Sequence, residues 1–491
     1  MKKCIKILAL LITTTIFLIG CSANEGDDIF DEIVGTVMAE EAENGESATD
    51  SENIDAKLNA TSELEGELRI LTSEHLTHLQ LLSNYFMEKH PNVTIEFETI
   101  EQIIDVSQQL ALTTRLLADP PDILNTAGLV FEKMSMDSLF VDLKPLIDGP
   151  GGINREDYFD NVLRAAEIDG GLYNVPLTLD SDTRLLNKRL FDSINVPIED
   201  IRKMTFNEYL EFYLNAVEAN PDEEIFVDSN FNVTTLFRFH QVYDINAGEV
   251  NADTPEMREL LSLVNSIPTG QLVEFTEQKV LEFITGTFTG GVDVSYLRPT
   301  VTYMYHNHAG LMLPGVFFLQ DTDDMQFSHP VFVTSQYGDI GFRTVTSPAI
   351  MRESGNQELA WEFIRFAMEH PTSLRNSGFY SEVASFPVNR AMFNDHVLRS
   401  VGHSHGLMIT FRNIEENEDA QIAATERAEG LQYSLDRFTE LMEMLNFERR
   451  YCEATFNSII YPDIYLLVTG RQDVYRTLSN IQNRLEIYIE E

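Results

Sequence analysis

The sequence predicts an α/β fold in two lobes joined by extended crossing segments. Three observations predict it. A strand–helix–strand unit opens the folded part, and a long extended run leads from one α/β block into another. The third is size: 491 residues exceed what one hydrophobic core comfortably supports.

The elements follow in chain order. Glu67-Leu68-Arg69-Ile70-Leu71 alternates apolar and polar residues and reads as a first strand. A helix comes next, with Leu79, Leu81, Leu82, Tyr85 and Phe86 on its apolar side, and stops near His90-Pro91. Residues 92–98 alternate again as a second strand. Parallel strands need a crossover of about this length, so the sheet is parallel and covered by helices. A second helix over 107–118 ends at Asp119-Pro120-Pro121, and Asp122-Ile123-Leu124 is a short buried strand whose carboxyl end is Asn125-Thr126. Ligands of open α/β sheets lie outside the carboxyl ends of the strands. That places 72–75 and Asn125-Thr126 on one rim. Leu139 to Ile147 reads as a short segment and turn.

Gly170-Gly171 opens a tight turn into the extended run Leu177 to Leu186, where an interdomain strand is expected. Asn187 then starts a helix. Residues 205–284 have a helical pattern, 340–350 look extended, and 356–369 form an amphipathic helix containing Trp361, a core residue by its spacing. The last helix is expected over 472–489. There is no internal repeat and no glycine-rich phosphate loop.

The net charge is -45, from 79 acidic and 34 basic residues. Nucleic acid is excluded as a partner, because phosphate binding needs a basic surface. The three cysteines, Cys4, Cys21 and Cys452, lie too far apart in sequence and context for a disulfide framework or a clustered metal site. No cofactor is expected.

The first twenty residues read as an address. Lys2, Lys3 and Lys6 precede an apolar run from Ile7 to Ile19, closed by Gly20 and Cys21. This is a secretory signal, and it is shorter than the about 20 apolar residues of a comfortable membrane span. Leu18-Ile19-Gly20-Cys21 resembles the bacterial lipoprotein cleavage motif, which implies a diacylated Cys21 at the mature N-terminus. Two acyl chains suffice for stable anchoring. Residues 22–65 then carry fourteen acidic residues against the single Lys57. Such a stretch self-repels and cannot bury enough apolar surface to fold, so 21–65 is expected to be a disordered tether.

Several local patterns, in this order, resemble the extracellular solute-binding proteins of ABC importers, the maltose-binding-protein-like family. They are Glu67-Leu68-Arg69-Ile70 with Asn92-Val93-Thr94-Ile95, Pro121-Asp122-Ile123-Leu124, and Gly171-Leu172-Tyr173-Asn174-Val175-Pro176-Leu177. Leu186-Asn187-Lys188-Arg189-Leu190-Phe191, Ala360-Trp361-Glu362-Phe363, and the end from Thr469 to Leu485 follow. Leu186 stands where the family has tyrosine.

The resemblance implies a two-lobed periplasmic-binding-protein type II (Venus-flytrap) fold with discontinuous domains. Lobe one is expected at 66–178 and 344–374, lobe two at 179–343 and 375–491. The implied function is capture of a small solute, a sugar or oligosaccharide, between the lobes and delivery to an ABC permease. The chain would be a monomer held by its lipid at the extracellular face of the cell membrane.

Residue types on the rim nominate Glu74, Asn125 and Asp180 as ligand contacts, each also suited to a cap, a turn or a hinge hydrogen bond. Residues 283–296 resemble a family segment that ends in a sugar-stacking aromatic, which puts Tyr296 in that place and Asp293 beside it. Gly290 and Val294 depart from that pattern. Phe456 is a candidate for a second aromatic face, with a core role as the favoured alternative.

His306-Asn307-His308 and His403-Ser404-His405 read as surface loops rather than metal sites, since no cysteine or acidic cluster accompanies them. The pair Asp180/Asp182 raises glycosidase chemistry, but no hydrolase motif supports it. A surface enzyme acting on polysaccharide, a receptor for a cation such as a polyamine, and a sensory protein docking to a membrane kinase remain open alternatives.

Overall fold

A computed structural model describes residues 64–73, 77–100, 106–129, 138–181, 183–197, 203–223, 225–228, 237, 242–244, 248–267, 300–304, 327–334, 338–369, 385–404, 435–436, 438–448 and 453–490. Strands β1 (Glu65–Ser73) and β2 (Asn92–Ile100) pair in parallel from Glu65↔Asn92 to Ser73↔Ile100, with helix α1 (Thr77–Lys89) as their crossover. The alternation read from the sequence is the burial pattern of β2: Val93 and Ile95 are buried, Thr94 and Glu96 exposed. On α1 the buried stripe is Leu79, Leu82 and Phe86, three and four residues apart as one helix face requires; Leu81 and Tyr85 flank it half-buried.

Helix α2 (Val106–Ala118) leads to the fully buried strand β3 (Ile123–Asn125), parallel to β1 through Ile70↔Ile123 and Leu71↔Leu124. Two short helices follow, α3 (Lys144–Asp148) and α4 (Asp160–Ala165).

The chain then leaves this sheet. Strand β4 (Thr178–Ser181) belongs to one sheet and β5 (Thr183–Asn187) to another. Asn187 caps helix α5 (Lys188–Ser193) by accepting from the Leu190 amide. After β6 (Lys203–Thr205), a capping box of Thr205 and Glu208 starts α6 (Phe206–Ala219). The helical pattern expected over 205–284 is interrupted: β7 (Phe226–Asp228), β8 (Tyr243–Asp244) and β9 (Glu249–Val250) come before α7 (Pro255–Asn265). Phe226 of β7 pairs with Thr300, distant in sequence, while β8 and β9 pair with each other, and strand pairing overrides local periodicity.

Strands β10 (Thr300–Met304) and β11 (Phe327–Thr334) flank β5, and the second sheet runs β6-β11-β5-β10-β7. Strand β12 (Gly341–Thr346) returns beside β4, and β13 (Pro348–Ile350) completes the first sheet in the order β13-β3-β1-β2.

Helix α8 (Gln357–Glu369) covers that sheet, with Trp361 buried as expected. Its Phe363 and Phe366 meet Phe86 of α1 edge-on, at ring separations of 5.4 and 5.1 Å. The elements β14 (Phe386–Pro387), α9 (Arg390–Ser404), β15 (Phe447–Glu448), α10 (Glu453–Val468) and α11 (Val474–Glu490) complete the described chain.

Two apolar clusters reflect this division. One gathers Leu186, Phe206, Tyr209, Leu260, Ile460 and Ile481 with their neighbours; the other gathers Leu71, Leu112, Leu124, Phe140 and Ala349. The described residues after 375 make two sets of contacts. Residues 453–490 supply much of the first cluster. By contrast, Phe393 stacks edge-on with Phe159 at 5.1 Å, and Asn161 Nδ2 donates to the Met442 and Leu445 carbonyls. Those contacts join α9 and the 442–445 segment to residues expected in lobe one.

Two predictions follow from α1. Phe86→Ala removes a ring held by two edge contacts and should cost about 3–5 kcal/mol in urea unfolding. His90 lies 4.7 Å from the Phe86 ring, and burial, then the neighbouring Lys89 charge, hold its pKa below the ordinary 6.5. The unfolded chain therefore takes up the proton first as pH falls. The stability this residue contributes is present above its unfolded pKa and lost as pH drops through the folded one. Urea midpoints measured from about pH 7 to about pH 5 should fall less steeply for His90→Gln than for the native chain.

Candidate functional site

The two sheets communicate through an antiparallel pair of crossing strands. β4 leads out toward the second sheet and β12 leads back, in the register Phe342↔Ser181, Arg343↔Asp180, Thr344↔Leu179 and Thr346↔Thr178. The register shifts between Thr344 and Thr346, a bulge that increases local twist where one strand changes sheets.

The start of this pair is pinned to the rim of the first sheet. The Ser347 amide donates to Asn125 Oδ1 at 2.8 Å, and the Thr126 amide and hydroxyl both donate to the Ser347 carbonyl at 2.9 Å. From the outgoing strand, Asn174 Nδ2 donates to Ser347 Oγ at 2.6 Å and to Thr126 Oγ1 at 3.1 Å. All four residues are buried. The Val175 and Leu177 amides donate to the Pro348 and Thr346 carbonyls at 3.0 and 2.8 Å, closing the ladder into the rim.

Parallel register puts Thr72 next in line beside Asn125, on the sheet face opposite Leu71 and Leu124. The oxygens Thr72 Oγ1, Asn174 Oδ1 and Thr178 Oγ1 are buried with no hydrogen-bond partner among the described residues. Buried polar groups in that condition are costly in a native fold and concentrate where it has work to do. The buried polar side chains of the described rim are thus amides and hydroxyls.

A charge pair on these strands is Asp180 Oδ2 with Arg343 Nη2, 3.1 Å apart. Among the described residues no group of three or more His, Cys, Asp or Glu side chains could hold a metal ion. No described helix is long and apolar enough to cross a membrane. A surface hollow of about 440 Å³ lies elsewhere, lined by Asp160, Asn161, Arg164 and Arg390 among others; Arg164 pairs with Asp160, and Arg390 with Glu443.

The nominated residues fall as follows. Asn125 stands at the end of β3, and its side chain holds the returning strand. Asp180 lies on the outgoing strand, paired with Arg343. Phe456 is buried in the second lobe's apolar cluster, with Tyr243 at 5.9 Å, so the aromatic face expected for a ligand packs the core instead. Glu74, Asp293 and Tyr296 lie outside the described residues, as do Cys21, Asp182, Cys452, His405 and the 306–308 histidines. Sequence reasoning missed Asn174, Ser347 and Arg343. Asn174 stood inside a motif already singled out; the other two have only extended flanks as a signal, and their partners lie more than a hundred residues away.

Two sheets joined through a four-stranded sheet, β14-β4-β12-β15, whose central antiparallel pair carries one strand out and one back, define a two-lobed binding protein. The sequence profile of the bacterial extracellular solute-binding proteins matches residues 77–371, and the chain belongs to that family. The fold agrees with solved structures. The sugar-binding protein MalE from the phytopathogen Xanthomonas citri is 15% identical over 87% of this chain and 98% of its own, with a TM-score of 0.56. The cyclic alpha-maltosyl-1,6-maltose binding protein from Arthrobacter globiformis is 14% identical over 87% and 100%, at 0.53. An extracellular solute-binding protein family 1 member from Alicyclobacillus acidocaldarius is 13% identical over 88% and 100%, also at 0.53. No curated protein matches the sequence. The family and these neighbours are binding proteins rather than enzymes.

Replacing Asn174 with alanine removes both hydrogen bonds that tie the outgoing strand to Thr126 and Ser347. Thermal or urea unfolding should show a loss of about 1–3 kcal/mol, the cost of leaving buried hydroxyls without that partner.

Proposed function

We propose that this solute-binding protein captures a sugar or oligosaccharide between its lobes and hands it to an ABC permease. The observation that carries this reading is the pinned pair of crossing strands, which lets the lobes move as bodies about two short backbone segments. Lobe one comprises the first sheet with its helices, from 66 to 178 and 344 to 374, and lobe two the second sheet from 179 to 343. Residues 453–490 go with lobe two, and Phe393, Met442 and Leu445 meet Phe159 and Asn161 of lobe one.

Closure over a solute needs the closed state to bind it better than the open one. Tyr296 is the stacking face in this reading, with Asp293 beside it and Glu74 on the rim. Asn125 serves as an anchor of the rim. The uncharged rim of Thr72, Asn174 and Thr178 suits hydroxyl groups, and the pairing of Asp180 with Arg343 removes one carboxylate that a cationic ligand would need. Sugar ligands of the Xanthomonas and Arthrobacter proteins support the same substrate class. Leu18-Ile19-Gly20-Cys21 supports a lipid anchor on Cys21, and 22–65 a tether long enough to reach a neighbouring permease.

A thermal-shift screen of the chain from residue 22 onward against maltooligosaccharides, monosaccharides, polyamines and divalent metals tests this. A sugar at about 100 times its dissociation constant should add roughly 2.7 kcal/mol, and Tyr296→Ala should abolish that gain. A response to polyamines alone would replace the sugar but keep the receptor.

A further inference from the structure

Helix α11 carries one apolar stripe, Leu478, Ile481, Leu485 and Tyr488, spaced three, four and three residues apart. The stripe does not serve one core. Leu478, Ile481 and Leu485 belong to the cluster around Phe206, Leu260 and Ile460, whereas Tyr488 belongs to the cluster around Leu71, Leu124 and Phe140. Tyr243 of β8 and Ile459 of α10 pack against both clusters, and Ile489 against the second.

The bridge is aromatic. Phe456 lies 5.9 Å from Tyr243, tilted by 33°, and Tyr243 meets Tyr488 edge-on at 6.3 Å and 85°. These distances are within the range where aromatic pairs attract beyond simple burial.

The helix is held firmly on one side of this bridge. Asp463, buried on α10, accepts from Asn480 Nδ2 at 2.7 Å and pairs with Arg484 Nε at 2.9 Å. Removing either partner of a buried charge is strongly destabilising, so α10 and α11 move together with the second sheet's core. Only the last turn of α11 reaches the first.

We propose that Tyr488 and Tyr243 form an aromatic clasp between the lobes, a non-covalent link in addition to the chain's own crossings, which sets how far the lobes swing. Rotation about β4 and β12 has to slide or part the Tyr243–Tyr488 contact. The clasp therefore biases the balance between lobe arrangements, and a binding protein's apparent affinity scales with the fraction of molecules in the competent arrangement.

The test needs no ligand, so it stands apart from the sugar assignment. Spin labels at Leu117→Cys on α2 and Glu211→Cys on α6, in a chain carrying Cys4→Ser, Cys21→Ser and Cys452→Ser, report the distance between the lobes by double electron–electron resonance. Tyr488→Ala should shift or broaden the distance distribution relative to the clasp-intact protein. Leu260→Ala, a truncation of comparable burial inside one cluster, should leave the distribution as it was. Tyr243→Leu keeps apolar volume while removing the ring, and gives the same shift if Tyr488→Ala does not fold. Superimposable distributions for the clasp variants and Leu260→Ala would overturn the proposal.

Discussion

The antiparallel pairing of β4 with β12 is the constraint on which the rest of this molecule depends. Two segments, more than 160 residues apart in sequence, must leave and re-enter the first sheet side by side. Each carries backbone donors and acceptors that have no other partner if the pair separates. The rim of β3 supplies the anchor: Asn125 and Thr126 satisfy Ser347 from one side, and Asn174 from the other. Side-chain amides suit this task because each offers a donor and an acceptor in one plane, and can answer a backbone amide and a hydroxyl at once.

That arrangement explains why the described polar residues that anchor the crossing strands are uncharged. An unpaired carboxylate buried among Leu179, Val175 and Ala349 would cost several kcal/mol in desolvation. Where a charge does occur, at Asp180, it sits further along the strand, partly exposed and opposite Arg343. Among the buried acids of the described residues, Asp463 lies against the Arg484 guanidinium, and Asp122 accepts from the Arg69 amide and the Ser354 hydroxyl. The large negative balance belongs to solubility and to the N-terminal stretch more than to the rim.

Much of the first sheet was legible in advance. The alternation in 67–71 and 92–98, the stripe on 79–86 and the double proline at 120–121 each appear where expected, because each reports a local contest between burial and solvent. The stretch between 205 and 284 was less legible. Short strands such as β7 and β8 have too few residues for periodicity to declare them; β7 takes its partner from the distant β10, and β8 pairs with β9 in a two-residue ladder. Phe456 shows the same limit in a single residue: an aromatic ring on a helix has the same letter whether it packs against Tyr243 or faces a ligand.

The sequence by itself determined the α/β class, the order of helices and strands around the first sheet, and the family resemblance carried by short motifs. It did so because those features depend on neighbours within a few turns or one crossover. Only the tertiary structure decided which segments cross together, that Asn174 rather than a charged residue locks them, and that α9 with 442–445 packs against the 158–165 segment. Only it decided that one stripe on α11 serves two cores. Those choices depend on contacts between residues that the chain brings together only when both sheets have formed, and no local pattern encodes the partner of a residue hundreds of positions away.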